Sequence, residues 1–392
     1  MLTSRSLRIL EVSEPNKNGV FIHVRGLLNH LLRSGHCLTY AYSSTRSSSQ
    51  LDALLVDLHT ARGASVDFEI SNGPSLRDSF AWVWILWHIY AERPDIVHGH
   101  SSKAGALVRF AAMVMPTTAY IYTPHAYYSM SARPDGWRMG YWLIERVLAP
   151  WATTINISRD ERRFAVNALK LGRAKAVIAP NPVELNRFRP VNAERKWQVR
   201  AQWSIPASAN VFGTLARFGE QKDLGTFYRA AIHCAKSDPL CHFIHLGTGK
   251  DADFYQQEVC KFGVATQFTF IDYLADPEPF YACLDAFVIT SKFEAGWPIV
   301  MLEALALGLP LITTDFVGLG ANDPRELSHI TIVPVGDDHS LAKSISAVAA
   351  DLRLAPPRIN HREYVESHFA PNVCYGQVEQ LYDNMTKPSV IV

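Results

Sequence analysis

Arg217 and Lys222 are the residues whose types and spacing most directly suggest chemistry. They stand in GTLARFGEQKDLGTF, after a strand-like run at residues 211–215, so both cations fall in the loop and first helical turn that follow it. Fixed positive charge at that place suits a diphosphate, and it can stabilise the negative charge that develops as a diphosphate leaves, without a metal. Alone, the pair fits an exposed helix start with two solvated cations at least as well. A second segment, FEAGWPIVMLEALALG, carries Glu294 and Glu303, with Gly296 and Pro298 marking a loop before a helix. Such a loop aims backbone N–H groups and a helix dipole at whatever anion lies beyond it. Carboxylates there can accept hydrogen bonds from sugar and ribose hydroxyls. Taken singly, Glu303 also reads as a surface helix residue and Glu294 as a capping acid. His125 follows a Tyr-Thr-Pro strand end, the kind of position where open α/β sheets bind ligands, although a satisfied, partly buried histidine is the plainer alternative. His98 and His100 flank Gly99 and have no third metal ligand at a persuasive spacing, so they read as supporting residues. His23 is left unassigned. The Gly247-Thr248-Gly249 turn is generic by itself.

The elements that must position these residues alternate along the chain. Residues 7–12 (LRILEV) read as a strand, 14–19 as a turn-rich loop, and 20–34 as a helix ending at Gly35. Strands at 37–42, 65–69 and 94–98 alternate with helices at 51–62 and from Ser101 onward. A helical stretch at 139–151, strands at 153–157 and 176–179, and a helix opened by Ser158 complete the first half. The proline-rich PNPVELNRFRP at 180–190 ends it, and 191–209 reads as a linker. A second series starts at 211–215 and continues at 242–246, 268–271, 286–290, 310–313 and 330–333. Alternating β and α implies parallel sheets with helices on both faces. The expected organisation is a Rossmann-like acceptor-binding domain at 1–190, a Rossmann-like nucleotide-sugar-binding domain at 205–370, and a C-terminal helix at 371–392 packing back on the first domain. Chemistry is then expected in a crevice between the two.

At 392 residues, with 48% hydrophobic and 19% charged side chains, the chain suits two packed domains and not an extensively disordered protein. Its six scattered cysteines form no C-x-x-C pair and read as reduced thiols. No signal peptide is evident at the N-terminus, and the most apolar window, FAWVWILWHIY at 80–90, is about half the ~20 residues of a membrane span. These features predict a cytoplasmic protein. The net charge of +1 conceals an asymmetry: residues 1–190 carry 22 Lys+Arg against 14 Asp+Glu, and the remainder 16 against 23. A basic first half could rest on an anionic membrane surface, or simply be a solvated face.

In order along the chain, Asn18-Gly19, PDIVHGHSSKAGAL, YTPHAYY, INIS, PNPVELNRF, Arg217 with Lys222, HLGTG and the double-glutamate segment resemble glycosyltransferase family 4, the retaining enzymes of GT-B fold. The resemblance spans nearly the whole chain. It implies that Gly19 lets the first loop approach the donor phosphate and that His125 lines the catalytic centre near the transferred sugar. Arg217 and Lys222 hold the diphosphate, Glu294 the donor sugar and Glu303 the ribose, while Gly247 and Thr248 belong to the donor-binding turn. Two departures stand out. The family's glutamates lie eight positions apart, whereas Glu294 and Glu303 are nine apart and the strict spacing falls on Ala295. Asn18 also stands where a second glycine is common.

The implied reaction moves a sugar from a nucleotide-sugar, with UDP the expected nucleotide, to an acceptor with retained anomeric configuration. No D-x-D motif sits at a strand end, so no metal and no other cofactor is expected. Arg133, Trp137 and Arg138, in a loop and helix start that mix aromatic and basic residues, are the candidates for binding the acceptor, whereas Trp82 and Trp87 fit core packing at least as well. The expected acceptor is a lipid-linked sugar at the inner face of the plasma membrane, in assembly of a surface polysaccharide, with no nucleic-acid partner. An inactive or regulatory nucleotide-sugar-binding protein and a sugar-nucleotide epimerase of the same fold are the alternatives.

Overall fold

The computed structural model describes residues 5–16, 18–46, 50–70, 75–130, 136–321, 327–354, 359 and 361–387. The chain divides into two compact units, Met1–Pro182 with Pro371–Val392, and Val183–Ala370.

The first unit is built on seven strands, β1 (Arg8–Ser13), β2 (Cys37–Tyr42), β3 (Ala64–Asp67), β4 (Ile96–His100), β5 (Ala119–Thr123), β6 (Thr153–Asn156) and β7 (Ala176–Ile178). They lie in the order β3-β2-β1-β4-β5-β6-β7, and every pairing is parallel. Helices α1 (Asn18–Arg33), α2 (Gln50–Thr60), α3 (Arg77–Glu92), α4 (Ser101–Val114), α5 (Gly136–Leu148) and α6 (Arg159–Asn167) connect them. The strand order reverses between β1 and β4, so α1 and α4 both start from the C-terminal ends of the two strands at the switch point, where open α/β sheets take ligands.

The second unit opens with α7 (Ala193–Gln202), inside the stretch expected as linker. The helix forms because Asn192 caps it through a hydrogen bond from Arg195 N–H, and it is fixed by buried Arg200, which donates to Asp285 Oδ2 at 2.6 Å and to Cys283 O at 2.9 Å. The six strands are β8 (Asn210–Leu215), β9 (Cys241–Leu246), β10 (Phe268–Ile271), β11 (Ala286–Ile289), β12 (Leu311–Thr314) and β13 (Ile330–Val333), parallel throughout in the order β10-β9-β8-β11-β12-β13. Helices α8 (Leu224–Ser237), α9 (Ala252–Lys261), α10 (Glu278–Ala282), α11 (Ile299–Ala306), α12 (Asp338–Leu354) and α13 (His361–Phe369) complete it. Its switch point lies between β8 and β11.

The units divide at Val183, earlier than residue 190. Val183 and Phe188 are buried in the second unit's core, and Val183 N–H donates to Phe369 O at 2.9 Å. After that unit closes, α14 (Pro371–Thr386) belongs to the first, where Tyr375, Val378 and Tyr382 pack among Phe21, Val24, Leu27, Leu28 and Leu31.

Candidate active site

In the second unit, the loop after β8 carries Arg217 and Lys222, and the loop after β11 carries Glu294. The two loops are tied together: Lys292 N–H donates to Gln221 O at 2.8 Å, and Thr290 Oγ1 donates to Lys222 O at 2.8 Å. Lys222 Nζ pairs with Glu294 Oε1, which also accepts from Ser291 Oγ at 2.7 Å, while Oε2 accepts from Gln221 Nε2 at 3.1 Å. Arg217 is exposed and forms no ion pair or side-chain hydrogen bond among the described residues. The two cations therefore differ: Lys222 is already neutralised by Glu294, and Arg217 is a free cation beside it in the sequence. A small recess at the same strand ends is lined by Thr214, Ala216, Lys222, Thr290, Ser291 and Pro298.

Glu294, nine positions before Glu303, is the acid that meets Lys222, whereas Ala295 at the eight-residue spacing is buried. Gly318 makes this loop conformation possible. Its φ is +104°, and a Cβ there would lie 2.1 Å from Glu294 O. Glu303 is not a surface residue. It is buried in α11 and accepts a hydrogen bond from Tyr281 OH at 2.6 Å, and burial pushes its carboxyl up to about 7. At the end of β9, Gly247 has φ +151°, and a Cβ would come 2.1 Å from Ala216 O, so only glycine lets the turn pass under the loop that carries Arg217. Thr248 O receives Phe218 N–H at 3.1 Å, which joins that turn to the same loop.

In the first unit, α1 begins at Asn18, so Gly19 sits exposed in its first turn and not in the preceding loop. His125 follows β5, half-buried, with φ +53°, and Ala126 has φ +96°. Non-glycine residues in this region are strained, and the conformation persists only if the surroundings hold it. Glu161 does so. Ser158 caps α6 by accepting from Glu161 N–H at 3.0 Å, and the Glu161 carboxylate turns back to accept from Ile157 N–H at 2.7 Å and Ala126 N–H at 2.9 Å. Burial raises Glu161 to about 7.

His98 and His100 are fully buried at the end of β4, and their partners come from distant elements. Glu11 of β1 accepts from His100 Nε2 at 2.8 Å and from Tyr382 OH of α14 at 2.9 Å. His98 Nδ1 lies 2.5 Å from Tyr382 OH, and its Nε2 lies 2.8 Å from Thr123 Oγ1. His100 Nδ1 meets His125 Nε2 at 3.1 Å. His23 of α1 packs edge-on to His125 with ring centroids 4.7 Å apart. Burial, with the neighbouring rings adding to it, depresses His23 to about 3, His100 to about 4 and His125 well below the ordinary imidazole value, so all three rings are neutral at pH 7. Burial alone would raise Glu11, but His98 and the hydrogen bond from His100 hold it well below the usual carboxylate range. Two sets, His23–His100–His125 and Glu11–His98–His100, bring one potential metal-binding atom from each residue within 4.8 Å of the others. The third partner that sequence spacing did not reveal thus comes from β1 or α1.

Residues 17–187 match the family model described as Glycosyltransferase Family 4, and residues 209–351 match the one described as Glycosyl transferases group 1. The chain belongs to glycosyltransferase family 4. It is 25% identical over 302 residues, 75% of this chain and 76% of the relative, to the Escherichia coli UDP-Gal:alpha-D-GlcNAc-diphosphoundecaprenol alpha-1,3-galactosyltransferase. To the GDP-mannose-dependent alpha-mannosyltransferase of Mycobacterium tuberculosis it is 26% identical over 360 residues, 87% of each chain. Among solved structures, a glycosyltransferase from Rickettsia africae covers 98% of this chain and 100% of its own at TM-score 0.78 and 14% identity. Anabaena HepE in complex with UDP and glucose covers 96% and 100% at TM-score 0.78 and 16% identity. These likenesses show the GT-B fold.

Of the residues singled out in the sequence of this family 4 glycosyltransferase, the structure brings Lys222 to Glu294 and His125 to His100, while Glu303 is buried against Tyr281. Sequence reasoning missed Glu11, Glu161, Tyr382, Gln221 and Ser291. Two of these left a signal: Glu11 is the one acid in the apolar run LRILEV, and a buried acid needs partners. Ser158 and Glu161 have the spacing of a capping box. Arg138, proposed for acceptor binding, donates to Ser129 O at 3.0 Å and so braces the turn after His125. Arg133 and the Trp137 side chain lie outside the described residues.

Proposed function

We propose that this glycosyltransferase moves a sugar from a UDP-sugar to a lipid-linked sugar acceptor in surface polysaccharide assembly, with retention at the anomeric carbon and without a metal. The observation that carries the reading is the arrangement after β8, where a free Arg217 adjoins a Lys222 held by Glu294. As the anomeric C–O bond breaks, the diphosphate gains the bonding electrons, and these cations stabilise its charge. The acceptor hydroxyl attacks from the face the diphosphate leaves and gives its proton to the departing phosphate. Glu303 serves the ribose, Glu294 the donor sugar, His125 the transfer chemistry, and Gly19, Gly247 and Thr248 admit the donor closely. The uridine assignment is supported by the donor named for the E. coli relative and by the UDP bound to HepE.

Arg133, Trp137 and Arg138 are the candidate acceptor contacts, and the assignment draws further on the described surface of the first unit. Helix α3 exposes Phe80, Val83, Trp87 and Tyr90 at helical spacing, with Trp87 60% exposed, so this residue does not serve as core packing. Trp82 is partly buried against the core. Arg77 and Arg93 stand exposed at the ends of the stripe. Helix α4 adjoins α3 and α5, and exposes Phe110 and Met113; α5 exposes Met139, Leu143 and Val147. An apolar face with aromatic residues and flanking arginines suits the interface of an anionic bilayer, at the inner face of the plasma membrane. No helix among the described residues is long and apolar enough to cross a membrane.

The test is titration with UDP, GDP and their sugars, with donor turnover followed in the presence and absence of EDTA. Tight UDP binding, lost in Glu303→Ala, with EDTA-insensitive turnover is expected. GDP preference would replace the donor, EDTA sensitivity would remove the metal-free mechanism, and absence of nucleotide binding would sink the donor site.

A further inference from the structure

We infer that Glu11 and His100 are positioning residues that lock His125 in a single tautomer, with a proton on Nε2 and a bare lone pair on Nδ1. The inference deepens the transferase reading and rests on it for its catalytic meaning. With His100 neutral, the hydrogen bonds from Glu11 through His100 to His125 admit one consistent assignment. Glu11, as a carboxylate, is an acceptor only, so His100 Nε2, at 2.8 Å, carries a proton. A neutral His100 then has a bare Nδ1. That nitrogen lies 3.1 Å from His125 Nε2, so the proton in this contact belongs to His125 Nε2, and the only lone pair left on the ring is at Nδ1. The rest of the cluster agrees. Tyr382 OH donates to Glu11 Oε1, so its oxygen accepts from His98 Nδ1–H, and His98 Nε2 meets Thr123 Oγ1, a hydroxyl that can donate or accept. Each proton shared among Tyr382, Glu11, His98, His100 and His125 has one donor and one acceptor.

His125 is half-buried, and among the described residues nothing hydrogen-bonds to its Nδ1. Glu161 pins the strained backbone on which the ring is carried. The ring therefore offers a fixed, uncharged hydrogen-bond acceptor to a ligand that donates, such as a sugar hydroxyl, and offers nothing to a phosphate oxygen. A carboxylate that fixes an imidazole tautomer at one remove is a known device in catalysis; here the constraint passes through a second imidazole.

Nitrogen-15 NMR of ring-labelled histidine in the full chain, without ligand, tests this directly, with His100 and His125 signals assigned by their loss in His100→Gln and His125→Gln. Both rings are expected neutral and Nε2-protonated from pH 6 to 8. A His125 signal showing Nδ1–H, or a charged ring at pH 7, would overturn the inference. Glu11→Gln supplies the second arm. Its amide, unlike the carboxylate, can also donate to His100 Nε2 and so move the proton of each ring to the other nitrogen, and the Nε2–H tautomer should no longer be the sole one on either ring. In donor turnover the same variant should lower kcat at least tenfold and leave donor KM within about twofold. A merely structural Glu11 would instead leave the tautomers unchanged, or alter KM and kcat together. Failure of nucleotide binding would remove the transferase reading but leave the tautomer measurement standing, since that needs no donor.

Discussion

Lys222 and Arg217 differ in what each would leave behind if removed. The side chain of Glu294 is 10% exposed and its charge is met by Lys222, so Lys222→Ala strands a carboxylate with only Ser291 and Gln221 for partners. A loss of about 1–3 kcal/mol of stability is expected for orphaning a polar group of this kind, read as a lower melting temperature together with loss of donor binding. Arg217→Ala removes an exposed side chain that pairs with nothing among the described residues, so stability should change by less than about 0.5 kcal/mol. Its cost falls on the ligand. Losing a charge-assisted contact to diphosphate, worth about 1.5–3 kcal/mol, weakens UDP binding roughly 10- to 100-fold. If Arg217→Ala binds UDP as tightly as the native chain while Lys222→Ala merely unfolds, the free arginine is not a diphosphate contact.

At the scale of elements, the exposed stripe of α3 and the buried stripe of α14 predict opposite responses to a new charge. Phe80→Glu with Trp87→Glu places two acids on a face that is already in water, so the fold should hold. Co-sedimentation with anionic vesicles should fall at least tenfold, whereas binding that persists would take the membrane surface away from α3. Val378→Asp, by contrast, buries an unpaired charge between α14 and α1, at a cost of about 3 kcal/mol or more. Amide exchange should then quicken in α1 and β1 and stay unchanged in β8 to β13, because each unit has its own core. Equal acceleration in both sheets would show a single cooperative block. The periodicities that carry these expectations were readable to different degrees. Short runs rich in β-branched and aromatic residues placed β2, β10 and β13 to the residue, although β10 and β13 are only partly buried edge strands. Polar composition hid α7, whose stability comes from Arg200 reaching Asp285 across 85 positions. Arg217, Lys222 and Glu294 were legible in the sequence because each lies in a loop that follows a strand of the same unit, whereas the burial of Glu303 inside α11 was not. The Glu11–His100–His125 chain was not, since β1, β4, the β5 loop and α14 meet only through sheet order and the return of the C-terminus.

Protonation acts on the molecule as a whole, because both units bury neutral histidines. His23 is depressed to about 3 and His100 to about 4, with His125 also low, all three by burial first. In the second unit burial likewise lowers His242 to about 4 and depresses His245 and His361. An unfolded chain takes up protons on these rings near pH 6.5, and the folded one does not. The stability they contribute is therefore present above pH 6.5 and is lost as pH falls through that value toward their folded pKa values. Glu161 and Glu303, raised to about 7 by burial, act in the opposite sense: their contribution is full below about pH 4.5 and is lost as pH rises through 7. Between pH 7 and 5.5 six histidines oppose two glutamates, each group carrying on the order of 1 kcal/mol per pH unit. Below pH 4.5 Glu11, held low by His98 and His100, adds its own loss in the same direction as the histidines. The melting temperature should accordingly drop by about 5 °C or more from pH 7 to pH 5.5, well above the range in which ordinary carboxylates titrate. A melting temperature that is flat or rises over that interval would mean that the buried rings are charged in the folded protein, and a charged His125 would in turn make the ring a donor at both nitrogens and unable to accept from a sugar hydroxyl.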